Sequence, residues 1–243
     1  MSARSDLISA MMLLTRLPVR GTPSEPAARA AWAWPIVGLV VGLAAGMVGL
    51  LAYALGATPA VVAAVVVAIS VILTGGLHED GLADTADGLW GGGDRARRLE
   101  IMRDSRIGTY GVIALVIVLL LRWSLIATAL LQGQMLSAVI IAAIVSRAAM
   151  PVLMRWQPPA RTDGLSHGSG RPPANAVWIA TGLAVLALVP TGGTGLAAAL
   201  LALAGISAIG ATARAKVGGQ TGDILGATQQ VVELAVLAAV VSG

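Results

Sequence analysis

The chain has 243 residues, 57% of them hydrophobic and only 12% charged, with a mean hydropathy of +0.85. A soluble domain carries about 25% charged residues, so this composition excludes one and predicts an integral membrane protein. Cysteine is absent, which removes disulfides, thiol catalysis and iron–sulfur ligation. The formal charge of +4 collects where apolar segments end, which fits membrane orientation and argues against nucleic acid as a partner.

Residues 1–30 carry Arg4, Arg16, Arg20 and Arg29 around the run LLTRLPV. They predict a short interfacial helix ending near Pro18, then a loop, without the long apolar stretch of a cleavable signal. Spans are expected at 32–55 and 59–77. In the first, Gly38, Gly42 and Gly46 recur every four residues, a spacing that lets two helices approach closely. Residues 78–107 read as two short polar helices broken by Gly91-Gly92-Gly93, the second running through Arg97, Arg98, Glu100, Arg103, Asp104 and Arg106. Three glycines without a following Gly-Lys-Ser/Thr pattern mark a turn more often than a phosphate cradle.

Further spans are predicted at 108–131, 135–156, 175–190, 194–213 and 223–242. The expected architecture is an all-α polytopic bundle of about seven transmembrane helices, forming a single membrane-embedded domain over residues 1–243. Alternating crossings put residues 1–30, 78–107, 157–174 and 214–222 on one face. Every Lys and Arg except Arg122 and Arg147 lies in or beside those segments, while the opposite connections carry no charge. By the positive-inside rule the charged face is cytoplasmic. Arg122 and Arg147 fall deep within spans, where a charge costs at least ~2.5–3.5 kcal/mol, so both should face the bundle interior and be paired. Glu233, beside Gln229 and Gln230, is the expected partner, in a structural role.

Residues 75–111 hold Glu79, Asp80, Asp84, Asp87, Asp94, Glu100 and Asp104, seven of the chain's twelve carboxylates. On a helix, Asp80, Asp84 and Asp87 stand at i, i+4 and i+7 and share one stripe, with Glu79 about a quarter-turn away. Like charges there repel, and no Lys or Arg lies between His78 and Trp90 to offset them. A hard divalent cation such as Mg²⁺, which shares its positions with substrate phosphates, answers that pattern. The loop 157–174 is either a disordered connection or a lid, with Arg161, Asp163 and His167 its candidates for substrate contact. Asp223 opens the last span, as a helix cap or as part of the site.

HEDGLADTADG followed by RRLEIMRDSRIGTYG closely resembles the signature of the cobalamin synthase family, adenosylcobinamide-GDP ribazoletransferase. LLTRLPV, SRAAMPVLM at 146–154, ARTDGL at 160–165 and TGDILGA at 221–227 resemble that family's other blocks, in its order. Aromatics common in the family are replaced here, and the chain has no Phe. The resemblance implies a multi-pass enzyme of the bacterial inner membrane that joins adenosylcobinamide-GDP to α-ribazole or its 5′-phosphate. It implies release of GMP, a requirement for Mg²⁺, and a homo-oligomer or complex with other cobalamin-assembly enzymes.

On that footing Asp80, Asp84, Asp87 and Glu79 are expected to hold Mg²⁺ against the pyrophosphate while the ribazole 5′-hydroxyl attacks the phosphorus bearing cobinamide. Asp104, with Glu100 one turn before it, is the candidate proton acceptor. Arg103 and Arg106 would clamp phosphate oxygens, and His78, Arg161, Asp163 and Asp223 would contact substrate. A CDP-alcohol phosphotransferase is the nearest rival enzyme, but Asp80-Gly81-Leu82-Ala83-Asp84 lacks the Arg its motif needs after Ala83. A transporter using Arg122, Arg147 and Glu233 is the rival from another class.

Overall fold

A computed structural model describes residues 2–242. Its helices are α1 (Ala3–Leu14), a 3-10 helix (Ala27–Ala33), α2 (Trp34–Ala54), α3 (Pro59–Thr74), α4 (Leu77–Gly91), α5 (Arg95–Ile101) and α6 (Thr109–Leu131). There follow α7 (Met135–Trp156), α8 (Gly164–Ser169), α9 (Ala174–Leu188), a 3-10 turn (Val189–Thr191), α10 (Gly193–Val217) and α11 (Gly222–Val241). Extended pairing among the described residues is confined to an isolated parallel bridge between Pro159 and Gln220.

Six of these helices are long and apolar enough to cross a membrane, the 3-10 segments extending α2 and α9. The seventh expected span is α3, which is shorter and bends by 89° into α4. Gly75 and Gly76 make the bend, at φ +67° and +69°, a left-handed pair that side chains resist. We read α3 as the crossing arm and α4 as a polar arm turned away from it. Membrane-spanning helices need no polar outer face, so α6 and α10 expose leucines such as Leu120, Leu200 and Leu203 to the surroundings.

Helices α7 and α11 are the central pair. Alanines Ala142, Ala143, Ala148 and Ala149 keep α7 thin enough to be packed on several sides. A Cβ on Gly38 would lie 2.2 Å from the Ala143 carbonyl oxygen, and one on Gly46 2.6 Å from Leu136, so the expected glycine stripe is the α2–α7 contact. Inside the bundle, Arg122 of α6 pairs with Glu233 at 2.7 Å, and Arg147 of α7 lies 3.9 Å from the same carboxylate. Arg122 also meets Glu79 at 3.0 Å, a partner the sequence reading did not foresee. Gln230 donates to Glu79 and Gln229 donates to Glu233, so two arginines, two glutamates and two amides form one buried network. Paired, the charges escape most of the desolvation cost each would carry alone.

The four segments expected on one face meet there. Arg95 donates to the Ala160 carbonyl (2.9 Å) and Arg98 to the Lys216 carbonyl (3.2 Å), the 3-10 helix at 27–33 packs against α8, and the Arg16 N–H donates to the Leu73 carbonyl at the end of α3 (2.7 Å). At the N-terminus Asp6 accepts from Ser24 (2.5 Å) and Trp32 (2.9 Å), tying α1 to the chain entering α2.

Candidate active site

Helix α4 crosses the start of α11 at two glycines. A Cβ on Gly81 would lie 2.9 Å from the Asp223 carbonyl oxygen, and one on Gly226 would lie 3.3 Å from Gly81 Cα. Backbone contact this close sets Asp223, in the first turn of α11, against Asp80 and Asp84. The Asp84 carboxyl is half-buried and pushed up to about 7: burial contributes most, then the charges of Asp80, Asp223 and Asp87, with Arg161 opposing them. Carboxylates are thus crowded here with too little positive charge to balance them.

Asp87 takes a different place from the one its stripe suggested. Its carboxylate is buried and accepts the N–H groups of Gly108 (2.7 Å) and Gly111 (2.9 Å), capping the start of α6, whose own N-cap residue is a glycine without a side chain. Both glycines are demanded by this contact, because a Cβ on either would fall 2.4–2.5 Å from an Asp87 oxygen. Glu79 is likewise turned away, onto Arg122 and Gln230. Among the described residues no three His, Asp or Glu side chains converge closely enough to hold a metal ion as they stand.

The expected second polar helix stops at Ile101, so Glu100 and Asp104 do not share a helical face. Glu100 pairs with Arg97 at 2.8 Å. Asp104 is held by Arg106 at 3.0 Å, whose side-chain and backbone N–H groups keep its carboxyl below the usual range. Of the glycine triplet, Gly91 ends α4, and Gly92 and Gly93 lead on to the Asp94 cap of α5. Arg103 reaches across to Asp163, contacting both oxygens at 2.6 Å, and Arg161 donates to Asp223 at 2.5 Å. These two ion pairs clasp the loop 157–173 over the polar end.

That loop is ordered by its bonds to Gln220. Ala160 N–H donates to the Gln220 carbonyl (2.8 Å), Gln220 N–H to the Pro158 carbonyl (2.9 Å), and Ser166 bonds the Gln220 side chain. Beneath it lies a cavity of about 200 Å³. Asp80, His78, Arg161, Asp163 and Asp223 line its polar side, while Leu14, Trp34, Met150 and Met154 are among its apolar walls. A second cavity of about 760 Å³ is lined by Arg171, Arg214 and His167, which also borders the first. Trp34 and Gln220 were not foreseen as site residues; neither belongs to an acidic or basic cluster, and only the packing of distant segments brings them here.

Fold and site together define a multi-pass, all-helical membrane protein with one polar end, where carboxylates and arginines surround a roofed cavity. The sequence profile of a family described as cobalamin-5-phosphate synthase matches residues 6–241, nearly the whole chain. The chain belongs to that family. An adenosylcobinamide-GDP ribazoletransferase of Bradyrhizobium diazoefficiens is 47% identical over 241 residues, covering 96% of this chain and 92% of the relative. Proteins with the same description from Azorhizobium caulinodans (44% identical, 96% and 94% covered) and Mesorhizobium japonicum (41%, 96% and 91%) are similar over the same extent. No solved structure matches the chain significantly.

Proposed function

We propose that this protein transfers the phosphate-linked cobinamide of adenosylcobinamide-GDP to α-ribazole or its 5′-phosphate and releases GMP. The observation that carries this reading is identity of 41–47% to relatives of that description along almost the full chain. The polar end supplies chemistry that suits it. An acceptor hydroxyl forms a new bond to the phosphorus bearing cobinamide, the bond from that phosphorus to the pyrophosphate bridging oxygen breaks, and the electron pair departs with GMP.

The hydroxyl cannot be the 5′ one. The family's description names a product that keeps a 5-phosphate, so a ring hydroxyl of the ribose is the nucleophile, which corrects the expectation from sequence.

We assign the Mg²⁺ position to Asp80, Asp84 and Asp223, with Glu79 and Asp87 left to their structural contacts. Their donor chemistry suits a hard cation, on which the three side chains would have to draw together: the donors are all carboxylate oxygens, the charge on Asp84 is under-compensated, and the Arg161 guanidinium stands where a cation would. Bound there, Mg²⁺ would supply neutralisation of the pyrophosphate oxygens. Arg161 and Arg103 would exchange their aspartates for phosphate oxygens, closing the loop on the donor. Asp104, held by Arg106, is a weak proton acceptor in its present setting.

The same reading places the protein in the inner membrane with this end toward the cytoplasm, where nucleotide-activated substrates are made. The rival transport reading gains no support, because Arg122, Arg147, Glu79 and Glu233 pair with one another inside the bundle. The test is GMP release by purified protein given adenosylcobinamide-GDP, Mg²⁺ and α-ribazole 5′-phosphate. Turnover that survives full chelation would remove the metal from the proposal, and CMP release from a CDP-alcohol would support the other enzyme.

A further inference from the structure

We propose that the apolar end of the 200 Å³ cavity is the seat of the acceptor's base, with the indole N–H of Trp34 as the group that reads its free ring nitrogen. This rests on the transfer proposed above. The cavity is divided by chemistry: Asp80, Arg161 and Asp223 stand on one side, and Leu14, Trp34, Met150, Met154 and Leu225 on the other. Two of its lining residues carry orphaned polar atoms. Trp34 Nε1 and His78 Nε2 have no hydrogen-bond partner, although the residues are only 3% and 2% exposed. Buried polar atoms are left unpaired at a cost, so two such atoms on residues that line one cavity point to a ligand that completes them.

The substrates differ sharply in what they could offer. A corrin is far too large for this volume. Guanine presents donors and acceptors along several edges, and the leucine and methionine wall would leave most of them unpaired. The dimethylbenzimidazole of α-ribazole is flat, apolar on nearly every edge, and has a single unsubstituted ring nitrogen, which only accepts. An indole N–H only donates. The two methionines give the base a soft wall with favourable sulfur–aromatic contact. Seated this way, the base directs its ribose toward Asp80 and Asp223, so the attacking hydroxyl arrives at the carboxylates, with His78 available to one ribose hydroxyl.

Equilibrium dialysis of the purified full-length protein with α-ribazole, no donor present, tests the seat directly. Wild type should bind α-ribazole, GMP and GDP should fail to displace it, and the α-riboside of unsubstituted benzimidazole should bind about tenfold more weakly for want of two buried methyls. Trp34→Phe, which keeps the aromatic plate and removes the N–H, should weaken α-ribazole binding about tenfold and raise its KM. The KM for adenosylcobinamide-GDP and kcat should stay within about twofold. Displacement by GMP, equal binding of the unmethylated base, or a Trp34→Phe effect on the donor's KM instead would each overturn the proposal. The wild-type measurements decide it even if Trp34→Phe does not fold. Transfer with normal rates but displacement by GMP defeats the seat alone. Retained α-ribazole binding without any transfer defeats the enzymatic reading alone.

Discussion

Asp84 is the residue where electrostatic cost and proposed function coincide. Its carboxyl sits among Asp80, Asp223 and Asp87, so replacing it with Asn removes repulsion that the fold otherwise tolerates. Asp84→Asn is expected to stabilise the metal-free protein by up to about 1 kcal/mol, discounted for its partial exposure, which corresponds to about 2–4 °C in Tm. The same variant should lose the Mg²⁺-dependent rise in Tm and at least about 100-fold in turnover. A thermal melt with and without Mg²⁺ checks both, and a melt lowered by the substitution would refute the crowding argument. Arg122 makes the opposite prediction. It is 3% exposed and pairs with Glu79 and Glu233 together, so Arg122→Met leaves two buried carboxylates short of a counter-charge. The expected loss is about 3–5 kcal/mol, read as failure to accumulate folded protein in membranes. Wild-type yield and melting would show that the network is dispensable.

At the scale of elements, the site depends on how closely α4 can lie on α11. Gly81→Ala places a methyl 2.9 Å from a backbone oxygen that has no flexible end to move aside. The helices must separate, with Asp223 carried away from Asp80 and Asp84. The expected result is a kcat reduced about 10- to 100-fold by misplacement, with protein still folded by circular dichroism. Unchanged kcat would show that the crossing does not position the carboxylates. Helix α1 forms one apolar wall of the cavity and is pinned through Asp6. Burial pushes the Asp6 carboxyl up, but donation from Ser24 and Trp32 and the nearby Arg29 charge outweigh it and hold the group below its ordinary value. Its stabilisation is therefore complete above the unfolded carboxylate's pKa and is lost as pH falls through the lower folded value. Asp6→Ala should cost about 1–3 kcal/mol at neutral pH, with the two melting curves converging below about pH 4. A gap that persists in acid would mean the carboxylate charge is not what holds α1.

Across the whole molecule, orientation is open to a clean test because the native chain has no cysteine to interfere. Thr162→Cys lies exposed on the clasped loop and Thr58→Cys on an uncharged connection, so an impermeant thiol reagent added to intact cells should reach Thr58→Cys and miss Thr162→Cys. The reverse pattern would invert the topology and place the carboxylates outside.

Much of this arrangement was readable in advance. Hydropathy located the spans because a bilayer demands apolar length, charge asymmetry grouped the polar segments, and the Gly38, Gly42 and Gly46 spacing announced a close helix contact. The carboxylate-rich stretch and the resemblance of its motif indicated the family. Helical periodicity also put Asp80, Asp84 and Asp87 on one stripe, but a stripe describes a helix alone. Which carboxylate meets which neighbour was decided by the tertiary structure: α6 presents bare N–H groups to Asp87, Arg122 claims Glu79, and α11 delivers Asp223 from well over a hundred residues away. Periodicity is a local property of the chain, whereas the balance of charge at a buried site is a sum over everything packed around it.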